Sequence, residues 1–250
     1  MKINEIKAKL NNNPTSEFIE SLKDDSRKGV QTLLKQYQKR VARQEKLEND
    51  YEKRMQYERR FWQSGKQNIA GIDEVGRGPL AGPVVAAAVI LPHDFHEIEV
   101  NDSKQLTSKV RKQLYQIILD KAISIGIGIG SSKLIDKVNI YEATKITMKN
   151  AVRNLTVVPD QLIIDAMSIN TEISQLKLIK GDAKSVSVSA ASIVAKVTRD
   201  HLMYEYAKKY PGYDFEHNVG YGTAKHLAGL AQHGITPIHR RSFAPVKKYL

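Results

Sequence analysis

Four acidic residues lie where apolar segments end or where a long helical pattern is about to begin. In chain order they are Asp73, Glu74, Asp165 and Asp182. An acid on the buried face of a sheet needs a partner, and a bound cation is an efficient one. Each acid could instead have a purely structural role. Acids at strand ends can accept hydrogen bonds from the amides of turns, and Asp182 could cap the following helix. If the sheet brings these ends to one edge, the four carboxylates predict a cation site.

The absence of other kinds of metal ligand limits which ion could bind. The chain has no cysteine, which excludes disulfides, cysteine-containing zinc sites and thiol nucleophiles. None of the seven histidines shows the His-x-x-x-His spacing, so we expect structural or surface roles for His217, His226 and His239. Oxygen ligands favour hard cations, and we predict Mn²⁺ or Mg²⁺.

A glycine-rich turn follows the first acid pair. Its glycines suggest a dinucleotide-binding loop, but that loop must open a helix. Here the turn leads into residues 83–91, a Val- and Ala-rich run that is typical of a strand. Gly76-Arg77-Gly78 instead offers backbone amides without Cβ obstruction and one guanidinium. These groups suit a phosphate or sugar hydroxyl that approaches the main chain closely.

The net charge of +12 and the pI of about 9.6 favour a polyanionic partner. Without an amphipathic Trp-rich anchor or a lipidation motif, nucleic acid is a better candidate than a membrane surface. The longest apolar run, residues 84–91, is far shorter than the roughly 20 residues that span a bilayer. The N-terminus has no secretory signal pattern, so we expect a cytoplasmic protein, and nothing requires more than a monomer.

Residues 1–66 differ from the rest and predict a charged helical extension. Residues 26–60 are dense in Lys, Arg, Glu and Gln and carry only a thin apolar stripe. The extension could be a solvated arm or an extra basic contact for nucleic acid, and the pattern fits both. The single tryptophan, Trp62, lies in this extension, and we expect its side chain to have a packing role.

Residues 67–250 predict an α/β domain with a mixed sheet, because strand and helix patterns alternate. The connection between the first two strands is too short for a parallel crossover. Glycines on one face of the third strand leave space for a closely packed neighbour. The predicted strands cover residues 69–73, 83–91, 123–130, 162–165 and 176–179, and the predicted helices residues 108–122, 139–155, 185–209 and 223–233.

Residues 67–250 strongly resemble bacterial ribonuclease HII. The resemblance rests on seven motifs, the first of which contains the acid pair and the glycine-rich turn. The motifs are residues 71–83 (GIDEVGRGPLAGP), 102–106 (DSKQL), 162–167 (LIIDAM), 180–185 (KGDAKS), 190–200 (AASIVAKVTRD), 220–223 (GYGT) and 239–243 (HRRSF). They occur in the family's order and approximate spacing. The charged N-terminal segment also looks like the extension of members from low-GC Gram-positive bacteria.

The resemblance implies a ribonuclease H-like fold, a mixed central sheet flanked by helices, with the N-terminal helical extension. It implies an endonuclease that cuts the RNA strand of RNA–DNA hybrids and cuts 5′ of single ribonucleotides in duplex DNA. Its catalytic, metal-binding carboxylates would be Asp73, Glu74, Asp165 and Asp182. Its ribonucleotide-reading residues would be Gly76, Arg77, Gly78 and Tyr221.

Phosphodiester hydrolysis needs an activated water, neutralised phosphate charge and help for the departing oxygen. Two cations roughly 4 Å apart supply all three and leave 3′-hydroxyl and 5′-phosphate ends. Lys104, Lys184 and Lys196 could hold the nucleic-acid backbone or be simply solvated.

Two rival functions follow from the same features. A junction resolvase or integrase would share the carboxylates but lack the Gly-Arg-Gly ribose reader. A basic architectural or RNA-binding protein would leave the acids unexplained, because carboxylates repel phosphate unless a cation intervenes.

Overall fold

The computed structural model describes residues 1–250, which divide into two compact units, Met1–Glu52 and Lys53–Leu250. The first unit contains α1 (Ile3–Asn11), α2 (Ser16–Ser21) and most of α3 (Lys28–Arg54). It has a small apolar core formed by Ile6, Leu10, Leu22, Val30 and Leu34. The sequence did not predict this core, because three of its members precede the charged segment that carries the apolar stripe. The boundary after residue 66 stays a prediction.

A five-stranded mixed sheet forms the centre of the second unit. The order is β3-β2-β1-β4-β5, with β1 (Ile69–Val75), β2 (Val84–Ile90), β3 (Ser124–Gly130), β4 (Gln161–Asp165) and β5 (Gln175–Leu178). The first three strands pair antiparallel, whereas β1 and β4, and β4 and β5, pair parallel. The predicted mixed sheet flanked by helices is therefore confirmed.

The remaining helices are α4 (Gln56–Gln63), α5 (Ser108–Lys121), α6 (Ser132–Arg153), α7 (Val186–Lys209), α8 (Phe215–Asn218), α9 (Ala224–His233) and α10 (Ala244–Lys247). None of the helices has the length and apolar character that a membrane span requires. The predicted start of α6 at residue 139 is wrong, because a first helical stretch begins at Ser132. Asn139 has φ 68°, which kinks the helix, and its side chain accepts from Glu142 N at 3.1 Å to cap the second stretch.

Helices α6 and α7 cover opposite faces of the sheet. Alternate residues of β1 point to opposite sides, so Ala70 and Ile72 join the core with α6, while Ile69 packs with Val188 of α7. Gly71 lies on the α7 face, where an added Cβ would be 2.1 Å from the main chain of Ser187. This close approach requires glycine and puts the next residue of that face, Asp73, against α7.

Candidate active site

Three carboxylates converge at the edge of the sheet that is formed by the C-terminal ends of the neighbouring inner strands β1 and β4. Ile72 of β1 pairs with Ile164 of the parallel strand β4, so the next residue on each strand is an acid. Oxygen atoms of Asp73, Glu74 and Asp165 lie within 4.8 Å of one another. Asp73 is buried, and the other two acids are half-buried. The geometry can place three ligands around one small cation.

The acids in this cluster disfavour one another's charge. Burial raises the pKa of Asp73 well above its usual range, and the charges of Glu74 and Asp165 raise it further. Burial and the charge of Asp165 also raise the pKa of Glu74, although Arg77 works in the opposite direction. One oxygen of Glu74, Oε2, is buried without a hydrogen-bond partner. Repelling carboxylates with an unsatisfied buried oxygen fit a divalent cation, which would relieve both penalties.

Asp182 lies beside this cluster, on a one-turn 3-10 helix (Gly181–Ala183). The N–H of Gly181 donates to Asp165 Oδ1 at 2.6 Å, which ties the turn to the end of β4. The charge of Asp182 contributes to raising the pKa of Asp165, after burial. The capping alternative for Asp182 is wrong, because the side chain of Ser185 caps α7.

Lys104 reaches the same edge from the loop before α5. Its Nζ donates to Asp182 Oδ2 at 2.8 Å and lies 3.5 Å from Asp102 Oδ1. Burial alone would lower the pKa of Lys104, but the hydrogen bond and the negative charges of Asp182, Asp102 and Asp73 raise it. The ammonium therefore stays charged next to the carboxylates. Lys184, directly after the 3-10 helix, is exposed, and Lys196 pairs with Asp200 at 2.7 Å.

The Gly-Arg-Gly turn begins directly after the acid pair, and a buried arginine holds it from inside. The guanidinium of Arg240 donates to the carbonyl oxygens of Gly76 (2.5 Å), Arg77 (2.8 Å) and Gly82 (2.9 and 3.0 Å). Arg77 is exposed and lies 3.3 Å from Glu74 Oε1, so the turn is joined to the acid cluster.

A second buried arginine, Arg199 of α7, supports the rest of this loop. It donates to the carbonyl oxygens of Ala81, Pro83 and Val219. Burial lowers its pKa to about 10, and burial together with the charge of Arg199 lowers that of Arg240 to about 9. Both guanidiniums remain charged at pH 7 although they bond only to main-chain carbonyls. No role for these two arginines could be predicted from the sequence, since an arginine is by default a surface residue.

Tyr221 stands beside the turn. A Cβ added to Gly78 would lie 3.4 Å from Cε1 of the tyrosine ring, so ring and turn are in van der Waals reach. The side chain is 47% exposed. The N–H of Leu80 donates to Gly220 O at 2.8 Å, which fixes the tyrosine loop against the glycine-rich loop. An aromatic face and a turn with little side-chain bulk thus border one open surface next to the acids.

Glu58 is a further residue near the site that the sequence analysis missed. It lies on α4, is buried, and its Oε1 accepts from Ser185 Oγ, Ser187 N and Ser187 Oγ at 2.5–2.9 Å. These bonds fix the first turn of α7, immediately after the 3-10 helix that carries Asp182. Burial raises the pKa of Glu58. Its position in a segment of mixed charge gave no signal of burial.

A second group of possible metal ligands lies on and beside α8. Side-chain atoms of Asp214, Glu216 and His217 come within 4.8 Å of one another. His217 is exposed and pairs with Asp214 at 2.7 Å, whereas His226 and His239 are buried. Unlike the cluster at the sheet edge, this group contains no buried acid, and its two acids lie next to the cationic or ionisable side chains of His217 and Lys225.

Comparison with known proteins gives one family. The family described as Ribonuclease HII matches residues 70–246, and the Ribonuclease HII N-terminal domain matches residues 2–62. The Ribonuclease HII of Ligilactobacillus salivarius is 58% identical over 250 residues, covering 100% of this chain and 98% of the relative. The crystal structure of ribonuclease H2 from Pyrococcus horikoshii superposes with a TM-score of 0.64 at 28% identity, covering 73% of this chain and 96% of that one.

A more distant likeness supports the fold. The crystal structure of Bst-RNase HIII in complex with Mn²⁺ has a TM-score of 0.56 at 21% identity, covering 74% of this chain and 69% of that chain. The family model that matches most of the sheet-bearing unit and the full-length relative agree with each other and with the fold. The chain therefore belongs to the ribonuclease HII family.

Proposed function

We propose that Asp73, Glu74, Asp165 and Asp182 are the catalytic carboxylates of this ribonuclease HII. As a member of that family, the enzyme cleaves RNA in RNA–DNA hybrids and at ribonucleotides embedded in duplex DNA. The observation that carries the assignment is the convergence of three acids within 4.8 Å, with the fourth tied to them through Gly181. Of the groups of possible metal ligands in the chain, this one alone consists of three acids.

The protein orients one oxygen of each proposed ligand with its own donors. Asp73 accepts from Glu74 N at 2.8 Å, and Asp165 accepts from Gly181 N at 2.6 Å. Arg77 holds Glu74, and Lys104 holds Asp182. Fixed carboxylates of this kind lower the cost of organising a site when a cation arrives.

Ribonuclease H enzymes use divalent metal ions, and we propose Mn²⁺ or Mg²⁺ as the ions held here by Asp73, Glu74, Asp165 and Asp182. When bound, such ions supply the positive charge that makes a water a better nucleophile and neutralises the departing 3′-oxygen. The proposed cut lies 5′ of the ribonucleotide and leaves 3′-hydroxyl and 5′-phosphate ends. The chain contributes the oxygen ligands and the buried surroundings.

Gly76, Arg77, Gly78 and Tyr221 are proposed to read the ribose. The 2′-hydroxyl distinguishes RNA from DNA at a given sugar. Gly78 leaves the main chain accessible, and the neighbouring ring of Tyr221 can pack on the sugar. Arg77 is exposed and can contact the adjacent phosphate.

We predict that Tyr221→Ala lowers kcat/KM on a duplex with one embedded ribonucleotide by about tenfold, as expected for a lost packing contact of about 1.4 kcal/mol. Affinity for the all-DNA duplex of the same sequence should change less than twofold. Tyr204→Ala is the matched control, since Tyr204 is similarly exposed (52%). Equal losses of cleavage and of duplex affinity in Tyr221→Ala would contradict a ribose-reading role.

Lys104 and Lys184 are proposed to contact the nucleic-acid backbone. We predict that Lys104→Met weakens hybrid binding at low salt several-fold and lowers the salt dependence, because one phosphate contact is lost. The metal-free enzyme should also lose stability, because Lys104 is exposed but its partner Asp182 is buried and would lose its neighbouring positive charge. Lys121→Met, which removes one lysine charge from a more solvent-accessible ion pair with Glu97, is the control for the change in net charge. Unchanged binding by Lys104→Met, measured by fluorescence anisotropy, would contradict a contact between Lys104 and the nucleic-acid backbone.

The partner we propose is therefore an RNA–DNA hybrid or a ribonucleotide-containing DNA duplex, bound by a monomer. The net charge of +12 supports capture of these polyanions. We propose the cytoplasm as the location, since its relatives are bacterial and bacterial chromosomal DNA lies there.

A further inference from the structure

Two buried histidines face each other behind the tyrosine loop. Nε2 of His226, on α9, lies 3.0 Å from Nε2 of His239, in the C-terminal segment. Both side chains are almost fully buried, among the rings of Tyr213 and Phe215. Apolar residues could fill such a place at lower desolvation cost, so the polar pair calls for another explanation.

The outer partners of the pair determine where the protons sit. The main-chain N–H of Thr236 lies 2.9 Å from His239 Nδ1 and can only donate, so this nitrogen accepts. The carbonyl oxygen of Tyr221 lies 2.9 Å from His226 Nδ1 and can only accept, so that nitrogen carries a proton. A neutral imidazole has one donor and one acceptor. His239 Nε2 therefore donates to His226 Nε2, and one proton arrangement satisfies all three bonds.

Both rings are kept neutral by their surroundings. Burial lowers the pKa of each, and for His239 the nearby His226 adds to this, bringing its pKa to about 4. At neutral pH the chain of hydrogen bonds from Thr236 to the carbonyl of Tyr221 is therefore complete.

The C-terminal segment that contains His239 also forms hydrogen bonds with the Gly-Arg-Gly turn. Arg240, directly after His239, donates to the carbonyls of Gly76 and Arg77. The segment lies against the glycine-rich loop, since Arg240 N donates to Leu80 O at 2.9 Å and Gly82 N donates to Ile238 O at 2.9 Å. Two adjacent residues thus reach both of the elements that border the ribose-reading surface.

We propose that His226 and His239 are positioning residues that set Tyr221 against the Gly-Arg-Gly turn and so govern selectivity for a ribonucleotide. The proposal rests on the proposed role of Tyr221. His239 orients His226, and His226 fixes the main chain of the tyrosine. Neither histidine contacts the substrate.

Two substitutions at one position separate this role from simple packing. His239→Asn retains an acceptor where Nδ1 lies, for the Thr236 N–H, but loses the donor to His226. His239→Gln places an amide donor near the position of Nε2. We expect His239→Asn to lower kcat/KM on a single embedded ribonucleotide about tenfold, with all-DNA duplex affinity unchanged within twofold. His239→Gln should stay within about threefold of the wild type.

A double-mutant cycle with Tyr221→Ala shows whether the histidines act through the tyrosine. We expect His239→Asn to cause no further loss in the Tyr221→Ala background. An equal loss in both backgrounds, or equal losses by His239→Asn and His239→Gln that follow their melting temperatures, would overturn the proposal. If Tyr221→Ala impairs cleavage and His239→Asn does not, only the positioning role fails. If Tyr221→Ala has no effect, the ribose-reading role of Tyr221 fails and the positioning role fails with it.

A measurement on the unmodified enzyme covers the case in which the variants do not fold. Histidine ¹⁵N–¹H correlation spectra at pH 7 report which ring nitrogen carries the proton. We expect His226 protonated at Nδ1 and His239 at Nε2. A proton on Nε2 of His226, or a positively charged ring in either residue, would overturn the proposal.

Discussion

The Asp73→Asn variant is expected to lose cleavage by a factor on the order of a thousand or more while its metal-free form becomes more stable. The loss follows from removing the most buried charged ligand of the proposed cation site. Asparagine keeps the size and one oxygen but not the negative charge that binds a divalent ion. Single-turnover cleavage of a duplex with one ribonucleotide, with Mn²⁺ and with Mg²⁺, measures the effect.

The gain in stability has an electrostatic cause. Burial and the charges of Glu74 and Asp165 raise the folded-state pKa of Asp73 above its ordinary value of 3.8. A carboxyl with a raised pKa contributes stability below the unfolded-state value, and the contribution is lost as pH rises through the folded-state value. In chelator, the advantage of Asp73→Asn in melting temperature should therefore be larger at pH 7 than at pH 4.

Added metal should reverse this order. Mn²⁺ that binds only the folded state stabilises it by mass action, so the wild type should gain melting temperature and Asp73→Asn should gain much less. Asp120→Asn, an exposed acid on α5, is the control and should behave as the wild type. Substantial Mn²⁺-dependent cleavage by Asp73→Asn, purified free of host nuclease, would contradict the assignment.

Arg240→Met is expected to reduce both stability and ribonucleotide cleavage strongly. The substitution leaves the carbonyls of Gly76, Arg77 and Gly82 without their buried donor. The unsatisfied groups should cost roughly 3 kcal/mol of unfolding free energy even after the burial cost of the guanidinium is removed. That corresponds to a drop in melting temperature of about 6–12 °C in a unit of this size.

Cleavage should fall further than stability alone explains. A displacement of the turn by about 1 Å can cost on the order of a hundredfold in rate. We expect that loss at a temperature where Arg240→Met is still folded by circular dichroism. Arg241→Met is the matched control, because the side chain of Arg241 is exposed and only its main-chain N–H bonds to Asp136. A folded Arg240→Met enzyme with full activity would show that the turn does not need this support.

The strands that carry the acids could be predicted from the sequence because their pattern is local. Apolar runs end at Asp73 and Asp165, and both runs are strands in the structure. What the sequence could not supply is the parallel pairing of β1 with β4, which places those ends side by side. That pairing depends on contacts between residues about 90 positions apart in the chain.

The roles of several polar residues could not be predicted, because their partners lie far away in the chain. The capping alternative for Asp182 failed because Ser185 is the cap, and the carboxylate instead pairs with Lys104. Arg199 and Arg240 lie in recognisable motifs, but nothing local shows that their guanidiniums are buried against carbonyls. The four-residue helices α8 and α10 are too short to show a helical period.

The two rival functions lose their support for different reasons. A non-catalytic nucleic-acid-binding protein would have no use for three mutually repelling carboxylates at one sheet edge. A resolvase or integrase would not account for a match to Ribonuclease HII over residues 70–246.

Anomalous diffraction from crystals grown with Mn²⁺ and a ribonucleotide-containing duplex tests the cation site directly. We predict anomalous peaks at coordination distance from the carboxylates of Asp73, Glu74, Asp165 and Asp182. An acid edge without a peak, or manganese bound only at Asp214, Glu216 and His217, would contradict this account.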